Sequence, residues 1–251
     1  MAIVLDQPIS NDYLDPLTSF VLSMGFDEDL SAVKRLDLVM HEAGVDHRGL
    51  CFWRLRFDDF ETSRTLATAF LNSDGVCTIN RVGLGGSSYP VAKIQLALST
   101  MYSYEYSFAY LRRVDQPTPV AEFNRKAWGL WLHATDGREV AGYVMSTSEQ
   151  CRLCCVGTVT GHDYEMSFEC EGGHVADCKN DLLADRLYSL EAFNPGNCPL
   201  DRTLAKIMFN PDTDVYSRTL CMLTLISLGC YNVVTFFNPK SAPPKRRKRR
   251  R

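Results

Sequence analysis

The sequence is poor in the patterns that announce a destination or a reaction. No basic stretch precedes an apolar one in MAIVLDQPISNDYLD, and Asp6 interrupts the early apolar run, so no secretory leader is expected. Without export, the ten cysteines read as reduced thiols of a cytosolic or nuclear protein, some buried as small apolar groups and some available to a metal. No internal repeat occurs at a solenoid or propeller period, and zinc-finger repeats, an RRM signature and a basic helix are all missing. HEAGVDH (41–47) sets His41 and His47 six positions apart, which on a helix turns them to opposite faces, so the zincin pattern H-E-x-x-H is not met. His47 and Cys51 lack a third residue to orient them as a catalytic pair. GLGGSSYP (83–90) has neither the G-K-[ST] ending of a P-loop nor the spacing of a dinucleotide fingerprint, and reads as a loop before the next strand.

Positive charge is scarce through most of the chain as well. Lys240, Lys245, Arg246, Arg247, Lys248, Arg249, Arg250 and Arg251 are eight of the 27 basic residues, which leaves 19 against 30 acidic ones in residues 1–239, a net charge of −11. Such a body repels phosphate backbones unless its cations gather on one face. With 251 residues, 45% apolar and 11% aromatic, the chain has material for one large folded unit or two small ones, and only its last dozen residues have the composition of an unfolded segment.

The patterning that is present mixes both periods. Residues 11–45 place apolar side chains at helical spacing, predicting two helices joined near Gly25, the second opening on the acidic cluster after Asp27. LCFWRLRF (50–57) alternates as a half-buried strand, TSRTLATAFLNSDG (62–75) reads as a short helix stopping at Gly75, and GVCTINRV (75–82) as another strand. In KAWGLWLHATDGREVAGYVMS (126–146) the Asp136-Gly137 dipeptide between two apolar runs is a strong hairpin signal. A second hairpin is expected over 151–170 with its turn at Gly161, helices over 179–193 and 200–209, and a strand over 231–237. The resulting expectation is an α+β fold: central antiparallel β-hairpins flanked by N-terminal and C-terminal helices, with a disordered basic C-terminal tail. Residues 1–239 form a single globular domain in this reading, with a point of sub-division near 115–125, and residues 240–251 form the tail.

Candidate chemistry concentrates in CRLCCVGTVTGHDYEMSFECEGGHVADC. Cys151 and Cys154 have the C-x2-C spacing that presents two thiolates from one tight turn, and Cys170 with His174, or Cys170 with Cys178, would complete a tetrahedral structural zinc site stapling the hairpin to the helix after it; Cys155 and His162 are spare ligands. Asp58, Asp59 and Glu61 supply carboxylates that suit either Mg²⁺ or a helix start. His133-Ala-Thr135 resembles one half of the paired H-x-[ST] signature of the two-histidine phosphoesterases, a resemblance that implies an enzyme acting on phosphodiesters around His133. The other four histidines are not followed by Ser or Thr two places on.

KRRKRRR, residues Lys245, Arg246, Arg247, Lys248, Arg249, Arg250 and Arg251, follows Pro243-Pro244 and cannot fold on itself, because like charges repel and nothing apolar is there to bury. An extended basic segment of this kind is read by a nuclear import receptor. The same residues can neutralise phosphates of nucleic acid without sequence preference, but no aromatic residue is interleaved to stack on bases. TLCMLTLISLGCYNVVTFF (219–237) is nineteen residues without a charge, enough to cross a bilayer at about 1.5 Å per residue, yet its hydroxyl and Asn side chains and the Leu228-Gly229 step favour a buried helix followed by a strand. The expectation for function is a non-enzymatic, nucleus-directed regulatory protein, found in nucleus and cytoplasm, that binds a protein partner through its acidic body, a combination associated with viral accessory proteins. The alternatives are a nucleic-acid packaging or transport factor, a phosphodiesterase-like enzyme and a tail-anchored membrane protein.

Overall fold

A two-residue alternation governs the chain from Arg35 to Phe209. The computed structural model describes residues 15–45, 51–72, 74–97, 106–126, 129–145, 164–171, 173–180 and 201–237. Trp53, Leu55 and Phe57 are buried while Phe52, Arg54, Arg56 and Asp58 beside them are half-buried, the consequence of side chains pointing alternately to opposite faces of a strand. The strands are β1 (Arg35–Val45), β2 (Cys51–Asp59), β3 (Thr65–Leu71), β4 (Val76–Val82), β5 (Ser88–Leu96), β6 (Tyr106–Arg112), β7 (Pro119–Lys126), β8 (Gly129–Ala134), β9 (Glu139–Met145), β10 (Tyr164–Cys170), β11 (Gly173–Asn180) and β12 (Arg202–Phe209). Each pairs antiparallel with its neighbour in sequence, and β1 pairs with β12 from Arg35↔Met208 to Met40↔Arg202. The sheet therefore closes on itself, leaving no edge strand to be covered.

The lumen holds a helix. Before the barrel come α1 (Pro16–Ser23) and α2 (Asp27–Leu30), and after it α3 (Val215–Phe237), about 34 Å long at 1.5 Å per residue. From Ser217 to Ser227 every side chain of α3 is buried, so the helix is enclosed on all sides, and it touches β2, β5, β6, β8, β9 and β11 around the wall. Leu220, Met222, Leu223, Leu225 and Ile226 are fully buried, each worth about 1.5–3 kcal/mol of removed apolar surface. The hydroxyls of Thr219, Thr224 and Ser227 donate to the carbonyls of Val215, Leu220 and Thr224 of the same helix, so they enter an apolar lumen with their donors satisfied. Room for the helix comes from small residues: the register Leu55↔Ala69↔Ile79↔Ala92 alternates large and small side chains around the inner wall, and Leu111↔Ala121↔Ala134 sets two alanines side by side.

One mouth of the barrel is sealed by α1, α2 and two arginine clusters. Arg218, buried in the first turns of α3, donates to the carbonyls of Leu30 (2.7 Å), Ser31 (3.2 Å) and Val33 (2.7 Å) and, through Nε, to that of Thr213 (3.1 Å). It thus ties the α2–β1 link to the β12–α3 link, and burial lowers its pKa. Asp29 of α2, also buried, accepts from Arg64 (2.7 Å) and Arg81 (2.8 Å) on the wall. From this mouth α3 runs to the other, where Cys230 lies against Cys77 near the start of β4.

The expected α+β fold with flanking helices is therefore corrected to a closed twelve-strand antiparallel barrel, its longest helix inside rather than alongside. Residues 62–75 were expected as a helix and contain β3, because Ala67 and Ala69, good helix formers, are chosen here for their small size facing α3. Residues 200–209 likewise form β12, with Ala205, Ile207 and Phe209 buried at period two. The second N-terminal helix ends at Leu30, and β1 takes the residues that followed it. The helix end at Leu228-Gly229 and the strand over 231–237 are replaced by one continuous α3, since enclosure on all sides supplies the packing that outweighs a single Gly. The strands at 50–57 and 75–82 and the Asp136-Gly137 hairpin stand where expected, Gly137 having φ 85°. The turn at Gly161 and most of 179–193 lie outside the described residues.

Candidate functional site

With α3 filling the lumen, ligands meet this molecule on its outer wall. That wall is polar: Arg56, Asp58, Lys93, Glu122 and His133 project from mid-strand positions, whereas a barrel facing lipid carries an apolar band there. No helix among the described residues is long and apolar enough to cross a membrane.

Lys93 on β5 and Arg112 on β6 stand directly opposite each other, an arrangement of like charges that weakens a sheet unless an anion or carboxylate joins them. The β6–β7 connection folds over them. Val114 gives its carbonyl to the Lys93 ammonium at 2.8 Å, and Arg113, which also lines the groove, covers the Phe20 ring of α1 at 4.8 Å. The space left between Val76, Gln95, the cations Lys93, Arg112 and Arg113, the Asp115 carboxylate and its neighbours Val114, Gln116 and Pro117 is a groove of about 380 Å³. Of Arg112, which lines it, the Nε is buried and has no hydrogen-bond partner. A buried orphan donor costs about 1–3 kcal/mol, more readily tolerated when a ligand supplies the acceptor. Of the three hydrogens on the Lys93 ammonium, the Val114 carbonyl takes one. A guanidinium and an ammonium converging in one groove form a donor set for an oxyanion.

The residues singled out in the sequence are dispersed. Cys170 ends β10 facing Ser217 of α3, and burial pushes its thiol up to about 12 although the Ser217 hydroxyl opposes this. His174 on β11 is exposed, 3.5 Å from Asp177. These two point to opposite sides of the wall, and Cys151 and Cys154 lie outside the described residues, as do Lys245, Arg246, Arg247, Lys248, Arg249, Arg250 and Arg251. Among the described residues no three His, Cys, Asp or Glu side chains are grouped to hold a metal ion. His133 projects from β8 with both ring nitrogens engaged, Nδ1 at 2.7 Å from the Asn124 amide and Nε2 at 3.6 Å from Glu139. Asp58 binds Arg56 and Thr65, and Asp59 accepts from Thr62 and the Glu61 amide, so those carboxylates order the β2–β3 turn. In GLGGSSYP the Gly83 amide bonds the Ser87 carbonyl at 2.8 Å, closing the loop on itself. Sequence reasoning passed over Lys93 and Arg112 because nineteen positions separate them, and only the β5–β6 register unites them.

No protein-family model, curated protein or solved structure matches this chain. The groove and the wall are therefore read on their own chemistry.

Proposed function

We propose that the protein is a nucleus-directed regulatory binding protein in which the barrel captures an oxyanion of its partner in the Lys93–Arg112 groove while the C-terminal basic cluster serves as import signal. The observation that carries this reading is the buried, unpartnered Nε of Arg112 beside a directly opposed lysine. An acidic body that gathers cations at one point of its wall gains selectivity from the contrast, because other surfaces repel the same ligand. A phosphomonoester suits the donor set, since its oxygens can take the guanidinium fork and the ammonium together. It can be carried by a soluble partner or by a lipid headgroup.

Calorimetric titration of the full chain with pyrophosphate tests the groove. Binding is expected for the wild type and a loss of about tenfold or more for Lys93→Gln or Arg112→Gln, a charge-assisted hydrogen bond being worth about 1.5–3 kcal/mol. Flotation with vesicles bearing a phosphomonoester headgroup distinguishes a membrane source from a soluble one. Equal affinity of wild type and both variants for pyrophosphate would defeat the reading.

A further inference from the structure

A second concavity, of about 490 Å³, opens on the outer wall where β1 to β5 run side by side, lined by His41, Arg54, Thr68, Phe70, Thr78 and Asn80. Its chemistry differs from that of the groove. The Arg54 guanidinium lies over the Phe70 ring at 5.3 Å, and Phe52, two positions along β2, packs against Phe70 with ring centroids 6.2 Å apart. Glu42 holds Arg54 from the side at 3.5 Å, leaving the Arg54 side chain 44% exposed. The two phenyl rings are tilted by 56°, and around this cluster stand short hydrogen-bonding groups: Thr68 and Asn80, whose mutual contact is long at 3.4 Å, and the Thr78 hydroxyl. His41 lies at the border, 3.4 Å from Arg56, which is itself paired with Asp58 and Asp201.

We infer that this concavity is a base-binding site for single-stranded nucleic acid. A half-exposed guanidinium within cation–π range of a phenyl ring gives a flat, unstacked base a surface to lie against, and an amide with two hydroxyls can bond the base edge; a sheet face carrying aromatics and arginine is how single strands are commonly held. Duplex nucleic acid keeps its bases stacked and does not fit. The concavity itself lacks phosphate-neutralising charge, since Arg54 and Arg56 are both paired with carboxylates. The basic cluster lacks any stacking group. Each supplies what the other is missing. Phe70 and Thr78 lie on the side of the concavity toward the β3–β4 turn, the mouth where Cys230 of α3 meets Cys77, and Ser88 lies on the side away from it. The eight residues from Phe237 to Lys245 span up to about 28 Å when extended.

Fluorescence anisotropy of the full chain with a labelled mixed-sequence single-stranded 12-mer decides the matter. The wild type is expected to bind the single strand at least tenfold tighter than the matching duplex. Phe70→Thr and Arg54→Gln should each lose about tenfold while leaving the salt slope unchanged, because stacking rather than counterion release has been removed. Deleting residues 243–251 should flatten the salt slope instead. Asn80→Ala, a smaller change on the same surface, should alter base preference even if the other two variants lose stability. Equal affinity for single strand and duplex, or no effect of Phe70→Thr, Arg54→Gln and Asn80→Ala alike in folded protein, would overturn the inference.

Discussion

Asp15 caps α1 by accepting from the amides of Leu17 and Thr18 at 2.9 and 3.0 Å and from the Thr18 hydroxyl at 2.6 Å, satisfying donors that a helix start leaves open. Burial by itself would raise its pKa, but these bonds and the nearby Arg138 outweigh it, and the carboxyl is held below its ordinary value. A depressed folded-state pKa means the carboxylate stabilises the native state fully above the unfolded value near 3.9 and loses that contribution as pH falls through the folded value. Asp15→Ala is therefore expected to cost about 1 kcal/mol at pH 7. The difference from wild type should shrink below about pH 4. Urea unfolding followed at both pH values measures it, and a gap that widens in acid would contradict the sign.

At the scale of elements, residue size decided what propensity could not. The alternation of Trp53, Leu55 and Phe57, the run from Val76 to Val82 and the turn at Asp136-Gly137 were legible because period two and positive φ leave local traces. Ala67, Ala69 and Ala205 misdirected the reading, since their role depends on a helix that arrives only after Val215. The candidate groove was illegible for the same reason: Lys93 and Arg112 become neighbours only through strand register. The threaded helix also makes a prediction. Cys221 and Cys230 are fully buried, and burial drives both thiols well above their ordinary range. Cys221 lies against the Tyr143 hydroxyl at 2.9 Å. Neither can reach an alkylating reagent while α3 stays in the lumen, so both should be labelled only through global opening. Mass spectrometry of thiol labelling across a urea series is expected to give the two cysteines coincident profiles that track the unfolding transition. Labelling of Cys230 well before that transition would mean that the end of α3 leaves the barrel independently.

For the whole molecule, charge is divided as sharply as structure. The barrel region through residue 239 carries −11 and the last twelve residues carry eight positive charges with no acidic residue among them. α3 is gripped along the lumen and clamped at its start by Arg218, and it ends at the mouth opposite α1 and α2. The final segment has no apolar side chains other than those of Ala242, Pro243 and Pro244 to bury after Pro239, so deletion of residues 243–251 is expected to change stability little. The deletion should nonetheless abolish nuclear accumulation of a fluorescent fusion, because the remaining surface has a net charge opposite to the one an import receptor's acidic groove requires. Thermal unfolding of the truncated protein at the wild-type midpoint, together with redistribution of the fusion to the cytoplasm, is the expected pair of results. Retained nuclear accumulation would assign import to the barrel wall, and a lowered midpoint would show that the basic segment is bound to the body's own carboxylates.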